Sequence, residues 1–134
     1  MSMKHSNKVI SKLNRDTKEG SVKWEINRSK PSSLSGNEFL VDNVYTCQVL
    51  EKSLRLYKYQ SKYFYDEGAF EWTDGYRLEF MDGWGNSEWT FPSDRAIYDL
   101  YETVRYKASN VEGFIDKFLT DDEKKETEEN PLDF

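Results

Sequence analysis

The sequence predicts an α+β fold: a mostly antiparallel sheet of four to five strands arranged as hairpins, with an N-terminal helix and two C-terminal helices packed on one face. Two observations indicate this fold. Four strand-like runs of aromatic and aliphatic residues lie between residues 45 and 91, and helical apolar repeats follow them up to residue 119. The order hairpin, hairpin, helix, helix requires no parallel crossover.

The first predicted element is a helix over residues 6–19. Val9, Ile10 and Leu13 give it an apolar side, and Gly20 suits the left-handed residue that often follows a helix. These features predict a short amphipathic helix at the start of the domain.

A short strand and a loop come next. Val22, Trp24 and Ile26 alternate with charged residues, as in a half-buried strand. Residues 27–38 contain a proline, a glycine and four serines without periodicity, which predicts a flexible loop.

Two hairpins form the rest of the predicted sheet. In the first, Lys52-Ser53 is the predicted turn, and the residues expected to face inward are Tyr45, Cys47, Val49, Leu54 and Leu56. Residues 61–75 are predicted to be a loop with turns at residues 66–68 and 74–75. In the second hairpin, residues 81–86 reverse the chain, and the inward residues are Tyr76, Leu78 and Phe80.

Two helices and a tail complete the chain. Helical spacing of apolar residues predicts a helix face for packing on the sheet, formed by Ile97, Leu100, Tyr101, Val104 and Ala108. Ser109-Asn110 interrupts the pattern, and residues 111–119 repeat it. We therefore predict a single domain over residues 1–120 and an acidic, disordered tail over residues 121–134.

Composition and charge limit the classes of partner. The 134 residues fit one domain, no apolar run is long enough to span a membrane, and the single cysteine cannot form an internal disulfide, so a cytoplasmic location is predicted. Residues 1–31 have a net charge of +5, whereas residues 32–134 have a net charge of −11. An acidic body favours a basic protein partner and disfavours nucleic acid, although the same charge also maintains solubility.

The sequence contains little material for catalysis. It has one histidine, His5, and one cysteine, Cys47, which is expected to be a small buried hydrophobe. One histidine and one cysteine cannot form a zinc site without several carboxylates. The acids between residues 66 and 74 lack the spacing of a calcium loop. We therefore predict that the protein is not an enzyme and that it has no metal or cofactor.

Surplus aromatic residues beside acids are the remaining signal. If Leu54 and Leu56 face inward, Tyr57 and Tyr59 face outward on an open sheet surface. Exposed tyrosine and tryptophan side chains dominate many protein interfaces, although cross-strand pairing would explain them equally well. The predicted partner-binding residues are Tyr57, Tyr59, Tyr63, Tyr65, Asp66, Glu67, Glu71, Trp72, Asp74 and Trp84.

Three stretches resemble small, uncharacterised, single-domain proteins of bacterial and phage genomes. They are Thr17-Lys18-Glu19-Gly20 with Lys23-Trp24-Glu25, then Tyr76-Arg77-Leu78-Glu79-Phe80, then Leu100-Tyr101-Glu102 with Val104-Arg105 and Phe114-Ile115-Asp116. The resemblance implies a bacterial or phage origin and a single domain. It implies no activity and no catalytic residue.

These observations lead to a hypothesis with alternatives. The leading hypothesis is a non-catalytic protein-binding module, such as an acidic immunity protein or a phage anti-defence inhibitor of a basic partner. The first alternative is a protein that binds or sequesters a nucleotide-like ligand by aromatic stacking. Two minor options are a single-stranded nucleic-acid platform, since basic residues interleave the tyrosines of residues 52–62, and an enzyme that uses only carboxylates and tyrosines. A monomer or a small homo-oligomer is expected.

Overall fold

The computed structural model describes residues 5–129, with side chains up to residue 121, and confirms the α+β class. One five-stranded antiparallel sheet has the order β1-β2-β3-β4-β5. The elements are α1 (Ser6–Glu19), β1 (Glu25–Asn27), β2 (Glu38–Val49), β3 (Lys52–Asp66), β4 (Ala69–Met81), β5 (Ser87–Thr90), α2 (Arg95–Ala108) and α3 (Val111–Glu129). Each strand pairs with its neighbour in the chain, so no crossover is needed.

The sheet has two different faces, which we name by what covers them. The helix face lies under α1 and α2 and carries the directly paired residues Tyr45, Leu56 and Leu78. The loop face is the opposite side, crossed by residues 28–37. Because side chains alternate along a strand, the odd-numbered residues of β3 point to the loop face and the even-numbered ones to the helix face.

The core lies between the helix face and the two helices. α1 packs along α2, and the predicted stripe of α2 is confirmed, since Ile97, Leu100, Tyr101 and Val104 are buried. Cys47 is buried, as predicted. The complete cluster consists of Ile10, Leu13, Tyr45, Cys47, Leu54, Leu56, Leu78, Phe91, Ile97, Leu100, Tyr101 and Val104. Burial of these side chains contributes most of the stability of the fold.

The predicted turn at Lys52-Ser53 was wrong. Leu50 and Glu51 form the turn with φ values of 50° and 68°, and β3 begins at Lys52. A two-residue hairpin turn with two positive φ values normally contains asparagine or glycine. Because neither residue type is present here, no sequence signal marks the correct position of the turn.

The predicted loop over residues 61–75 was also wrong, apart from its turn at residues 66–68. These residues are the outer half of one long hairpin, in which β3 and β4 pair from Ser53 to Asp66, with the turn at Glu67-Gly68. The Asp74-Gly75 turn does not exist. Gly75 lies opposite Tyr59, and a Cβ atom at this position would collide with the tyrosine ring. This glycine therefore makes room for a side chain instead of turning the chain.

Helix α3 extends further than expected but contacts little of the core. Its apolar side chains Phe114, Ile115, Phe118 and Leu119 are exposed. The predicted disordered tail begins at residue 121, whereas α3 continues to Glu129, because residues 121–129 are rich in the strong helix formers glutamate and lysine. Residues 130–134 lie outside the described part of the chain. Within the described part, no helix is both long and apolar enough to cross a membrane.

Candidate functional site

The ten predicted partner-binding residues do not share one surface. Strand alternation places four of them on the loop face (Tyr57, Tyr59, Tyr63, Glu71) and two on the helix face (Trp72, Asp74), and three surround the β3–β4 turn (Tyr65, Asp66, Glu67). Trp84 lies in the β4–β5 loop. The β3–β4 hairpin beyond the reach of α2, residues 59–75, is called the distal arm below, and it carries eight of the ten.

The prediction that Tyr57 faces outward on an open sheet was wrong. Tyr57 does lie on the face opposite Leu56, but residues 28–37 cover it and it is fully buried. Its hydroxyl lies 2.6 Å from the Ser33 hydroxyl and accepts a hydrogen bond from Arg77. Burial raises the pKa of Tyr57. Its hydrogen bonds to Ser33 and Arg77 lower the pKa, but they offset the effect of burial only in part. Tyr57 therefore holds the loop in place and is not available to a partner.

A buried ion pair beside Tyr57 was not predicted from the sequence. Arg55 and Glu79 are directly opposite each other on β3 and β4, and both are buried. Arg55 Nε donates to Glu79 Oε1 at 2.6 Å, and the Ser33 hydroxyl donates to the same oxygen at 2.9 Å. Arg55 also donates to the carbonyl of Gly85 at 2.7 Å, which links the loop face to the β4–β5 loop. The available sequence signal for this pair is opposite charge at cross-strand positions. The signal can be recognised only when the register of β3 and β4 is known.

Tyr59 is half-buried beneath a second ion pair. The Arg77 guanidinium lies 4.3 Å from the Tyr59 ring centre and donates two hydrogen bonds to Glu38. The hydrogen bonds from Arg77 lower the pKa of the Glu38 carboxyl. Burial lowers the pKa of Arg77, but hydrogen bonds to Glu38 and Tyr57 outweigh this effect and raise it overall. Tyr59 is thus part of the structural network that fixes the start of β2.

The end of the distal arm, residues 63–71, is the most exposed part of the predicted site and is called the tip. Tyr63 and Tyr65 are 59% and 60% exposed. The tip contains three acids, Asp66, Glu67 and Glu71, and no lysine or arginine. None of the three acids forms an ion pair within the described part of the chain. The tip therefore combines exposed tyrosines with uncompensated negative charge.

The helix face of the distal arm carries a continuous row of aromatic rings. Phe39, Trp72, Phe70 and Phe64 follow one another at centroid distances of 5.6, 5.7 and 5.6 Å, and this set is called the aromatic row. The Lys62 ammonium lies 4.7 Å from the Phe70 ring centre. Only Trp72 of this row was predicted as a site residue. Phe64, Phe70 and Trp72 are all even-numbered, and alternation in paired strands places them on one face. The spacing therefore predicts the row only once residues 61–75 are assigned to strands.

The acids of residues 66–74 are separated by the same alternation. Glu71 lies on the loop face opposite Tyr63, whereas Asp74 lies on the helix face, 3.7 Å from the Lys58 ammonium. Among the residues that the structure describes, no group of three or more His, Cys, Asp or Glu side chains is placed to hold a metal ion.

Alternation also separates the lysines of β3 from its tyrosines, and the remaining base, Arg55, shares the loop face with the tyrosines but is buried in its ion pair with Glu79. Lys58 and Lys62 lie on the helix face, whereas Tyr57, Tyr59 and Tyr63 lie on the loop face. A single-stranded nucleic-acid platform needs stacking rings and cations on one surface. The interleaving seen in the sequence therefore does not form such a surface on β3.

The four tryptophans are spread over the molecule. Trp84 is 87% exposed and lies near Arg55. The length of β3 from Arg55 to the tip is about 35 Å. Trp89 packs on Phe91 at a centroid distance of 4.7 Å. Trp24 is half-buried, donates its indole N–H to Thr17, and lines a shallow cleft of about 290 Å³ with Lys23, Val104, Lys107 and Ala108.

Cys47 and the tip differ in the chemistry that they offer. The buried Cys47 has a pKa raised to about 12 by desolvation, so its thiol is protonated at neutral pH and is a weak nucleophile. The exposed groups of the tip are tyrosine hydroxyls, aromatic rings and carboxylates, which donate, stack and attract cations.

Compared with known proteins, the chain matches no protein-family model, no curated protein and no solved structure.

Proposed function

We propose that this protein is a non-catalytic binding module that inhibits a basic protein partner, in the manner of an immunity protein or a phage anti-defence protein. The tip is the contact surface. The observation that carries the proposal is the coexistence, at the end of a long hairpin, of two exposed tyrosines and three unpaired acids without a single base.

The tyrosines supply affinity in this proposal. Tyrosine is enriched among the few residues that account for most of the binding energy of an interface. Tyr63 and Tyr65 are about 60% exposed, so a partner can bury most of each ring. The hairpin pairs in regular register from Ser53 to Phe64 and shifts register at Tyr65, and the regular pairing reduces the entropy lost when the partner binds.

The acids supply steering and selectivity for a basic surface. Residues 32–134 carry a net charge of −11, and the unpaired carboxylates of the tip concentrate part of it at one end of the molecule. Complementary charge raises the association rate of two proteins and is screened by salt. A basic partner is therefore expected to bind more slowly as the salt concentration rises.

Origin and location belong to the same proposal. A bacterial or phage protein that acts on a toxin or a defence enzyme works in the cytoplasm. The single cysteine is compatible with a reducing compartment.

Photo-crosslinking followed by quantitative binding tests this function. A photoreactive amino acid at Tyr65 is expected to capture one basic protein in the host cytoplasm, whereas the same group at Trp84, which is more exposed, is not. With the purified pair, Tyr63→Ala and Tyr65→Ala are each expected to weaken binding about 30-fold, equivalent to about 2 kcal/mol. The acids are tested with Glu67→Gln, which is expected to slow association at low salt only.

Two results would contradict the proposal. One is a verified complex that is insensitive to salt and leaves the tip exposed. The other is turnover of a substrate by the purified protein that one side-chain replacement abolishes.

The second candidate function is small-ligand binding in the Trp24 cleft. Two lysines beside an aromatic ring would suit a compact anionic ligand such as a nucleotide. A thermal-shift screen with nucleotides tests it, since a ligand at 100 times its Kd adds about 2.7 kcal/mol of stability. Trp24→Phe keeps a ring whose volume is closer to that of tryptophan than alanine would be. This variant should show a smaller thermal shift with the ligand, whereas Trp84→Phe should show the same shift as the wild-type protein.

A further inference from the structure

Two apolar surfaces remain exposed, one on the sheet and one on a helix. The first is the aromatic row on the helix face of the distal arm, whose four members are 38–59% exposed. The second is a stripe on α3 formed by Phe114, Ile115, Phe118 and Leu119, which are 42–65% exposed. One surface is a sheet without a helix, and the other is a helix without a sheet. A helix packed on a sheet is the arrangement that already forms the core of this fold.

We propose that a second copy of this chain covers both surfaces, so that α3 of each copy lies on the aromatic row of the other. The resulting dimer has two identical contacts related by a twofold axis. Each contact extends the helix layer over the outer half of the sheet, which α1 and α2 leave uncovered.

The area is what a stable dimer requires. Four side chains of this size, each about half exposed, present roughly 400 Å² on each surface. Two contacts between such surfaces would bury about 1,600 Å² in total, the size of a standard specific interface. Either patch alone would be close to the limit of what an isolated protein leaves exposed.

Charge favours this pairing over contact between two identical surfaces. Lys62 lies on the aromatic row and forms no ion pair within the described residues. Helical spacing of 100° per residue places two acids on the borders of the α3 stripe: Glu112, whose carboxylate lies 3.6 Å from the Lys107 ammonium, and Asp121. Two stripes facing each other would bring acid to acid, whereas a stripe on the aromatic row brings acid to Lys62.

Sedimentation equilibrium of the full chain tests the dimer. The expected mass is twice the 15.9 kDa of the chain at micromolar concentration. Phe118→Glu removes the helix side, and Trp72→Glu removes the sheet side. Each is expected to weaken the dimer at least 100-fold, because the substitution enters both contacts. Trp84→Glu is the matched control and should leave the dimer intact, and circular dichroism confirms that each variant is folded.

A mixture of the two monomeric variants gives the decisive result. The Trp72→Glu copy retains its α3 stripe and the Phe118→Glu copy retains its aromatic row, so one contact can form and a heterodimer is expected. A monomeric wild-type chain, a dimer lost with only one of the two variants, or the absence of a heterodimer would overturn the proposal. Tyr65→Ala should weaken the partner complex without affecting the dimer, so failure of the dimer and failure of the proposed function are distinguishable.

Discussion

Removal of the Glu79 carboxylate is expected to cost more stability than any surface substitution in this protein. Glu79 is fully buried and accepts hydrogen bonds from Arg55 and from Ser33 in the covering loop. In Glu79→Ala, the Arg55 guanidinium, which is 5% exposed, keeps its charge but loses its partner. The hydroxyl of Ser33 also loses one of its contacts with the sheet.

The magnitude follows from this geometry. Breaking a buried pair by removing one partner typically costs about 3–5 kcal/mol, because the remaining charge stays desolvated. For a chain of this size, the melting temperature is expected to fall by about 10–15 °C. Replacing both partners, as in Arg55→Met with Glu79→Leu, should recover at least half of the loss, since no uncompensated charge remains.

Urea unfolding followed by tryptophan fluorescence measures the free energy of unfolding. Glu88→Ala is the matched control, because Glu88 is exposed and its nearest cation, Lys52, lies 3.8 Å away, so a change below about 0.5 kcal/mol is expected. Trypsin cleavage after Arg28 should accelerate in Glu79→Ala as the covering loop opens. A loss below about 1 kcal/mol in Glu79→Ala would refute the argument that the pair is buried and holds the loop.

Three further outcomes are expected. Leu100→Asp should abolish folding, visible by circular dichroism, because an unpaired charge would enter the fully buried seam between α2 and the sheet; a native spectrum would contradict the packing. The Cys47 thiol, with its pKa of about 12, should react with a thiol reagent near pH 8 only after unfolding, and stoichiometric reaction of the folded protein would contradict its burial. The pKa of Glu38 is lowered in the folded state, so its pairing with Arg77 stabilises the protein above the usual pKa of 4.5, and this contribution is lost as the pH falls through the lower folded value. Glu38→Gln should therefore lower stability at pH 7 and flatten the acid limb of urea-unfolding curves, and unchanged curves would rule out this pairing.

The fold could be predicted from the sequence wherever the apolar pattern was periodic and continuous. The α1 helix and the stripe of α2 are examples, since each has one apolar side and a recognisable end. The turns were harder to predict. Leu50-Glu51 reverses the chain without a turn residue, whereas Asp74-Gly75 resembles a turn and lies in a strand because the ring of Tyr59 needs the space.

The candidate site depended on those turns. A loop over residues 61–75 has no strand alternation to separate Glu71 from Trp72, so the predicted site combines residues that lie on opposite faces of the sheet. The acidic and aromatic composition of the tip was visible in the sequence. Its division into an acidic tyrosine surface and an aromatic row requires the β3–β4 register, which long-range pairing determines.

The division of the distal arm explains how one hairpin can serve two partners. Its helix face presents mainly apolar rings, together with Lys62 and Asp74, whereas the tip presents tyrosines and carboxylates. Covering the helix face with a second copy would bury the rings that otherwise favour nonspecific association, and it would stiffen the support of Tyr63 and Tyr65. The dimer would then present two acidic tips, and a partner that engages both would gain affinity without any new type of contact. Disrupting the dimer with Phe118→Glu should therefore weaken binding to a surface-immobilised partner more than binding to the same partner in solution.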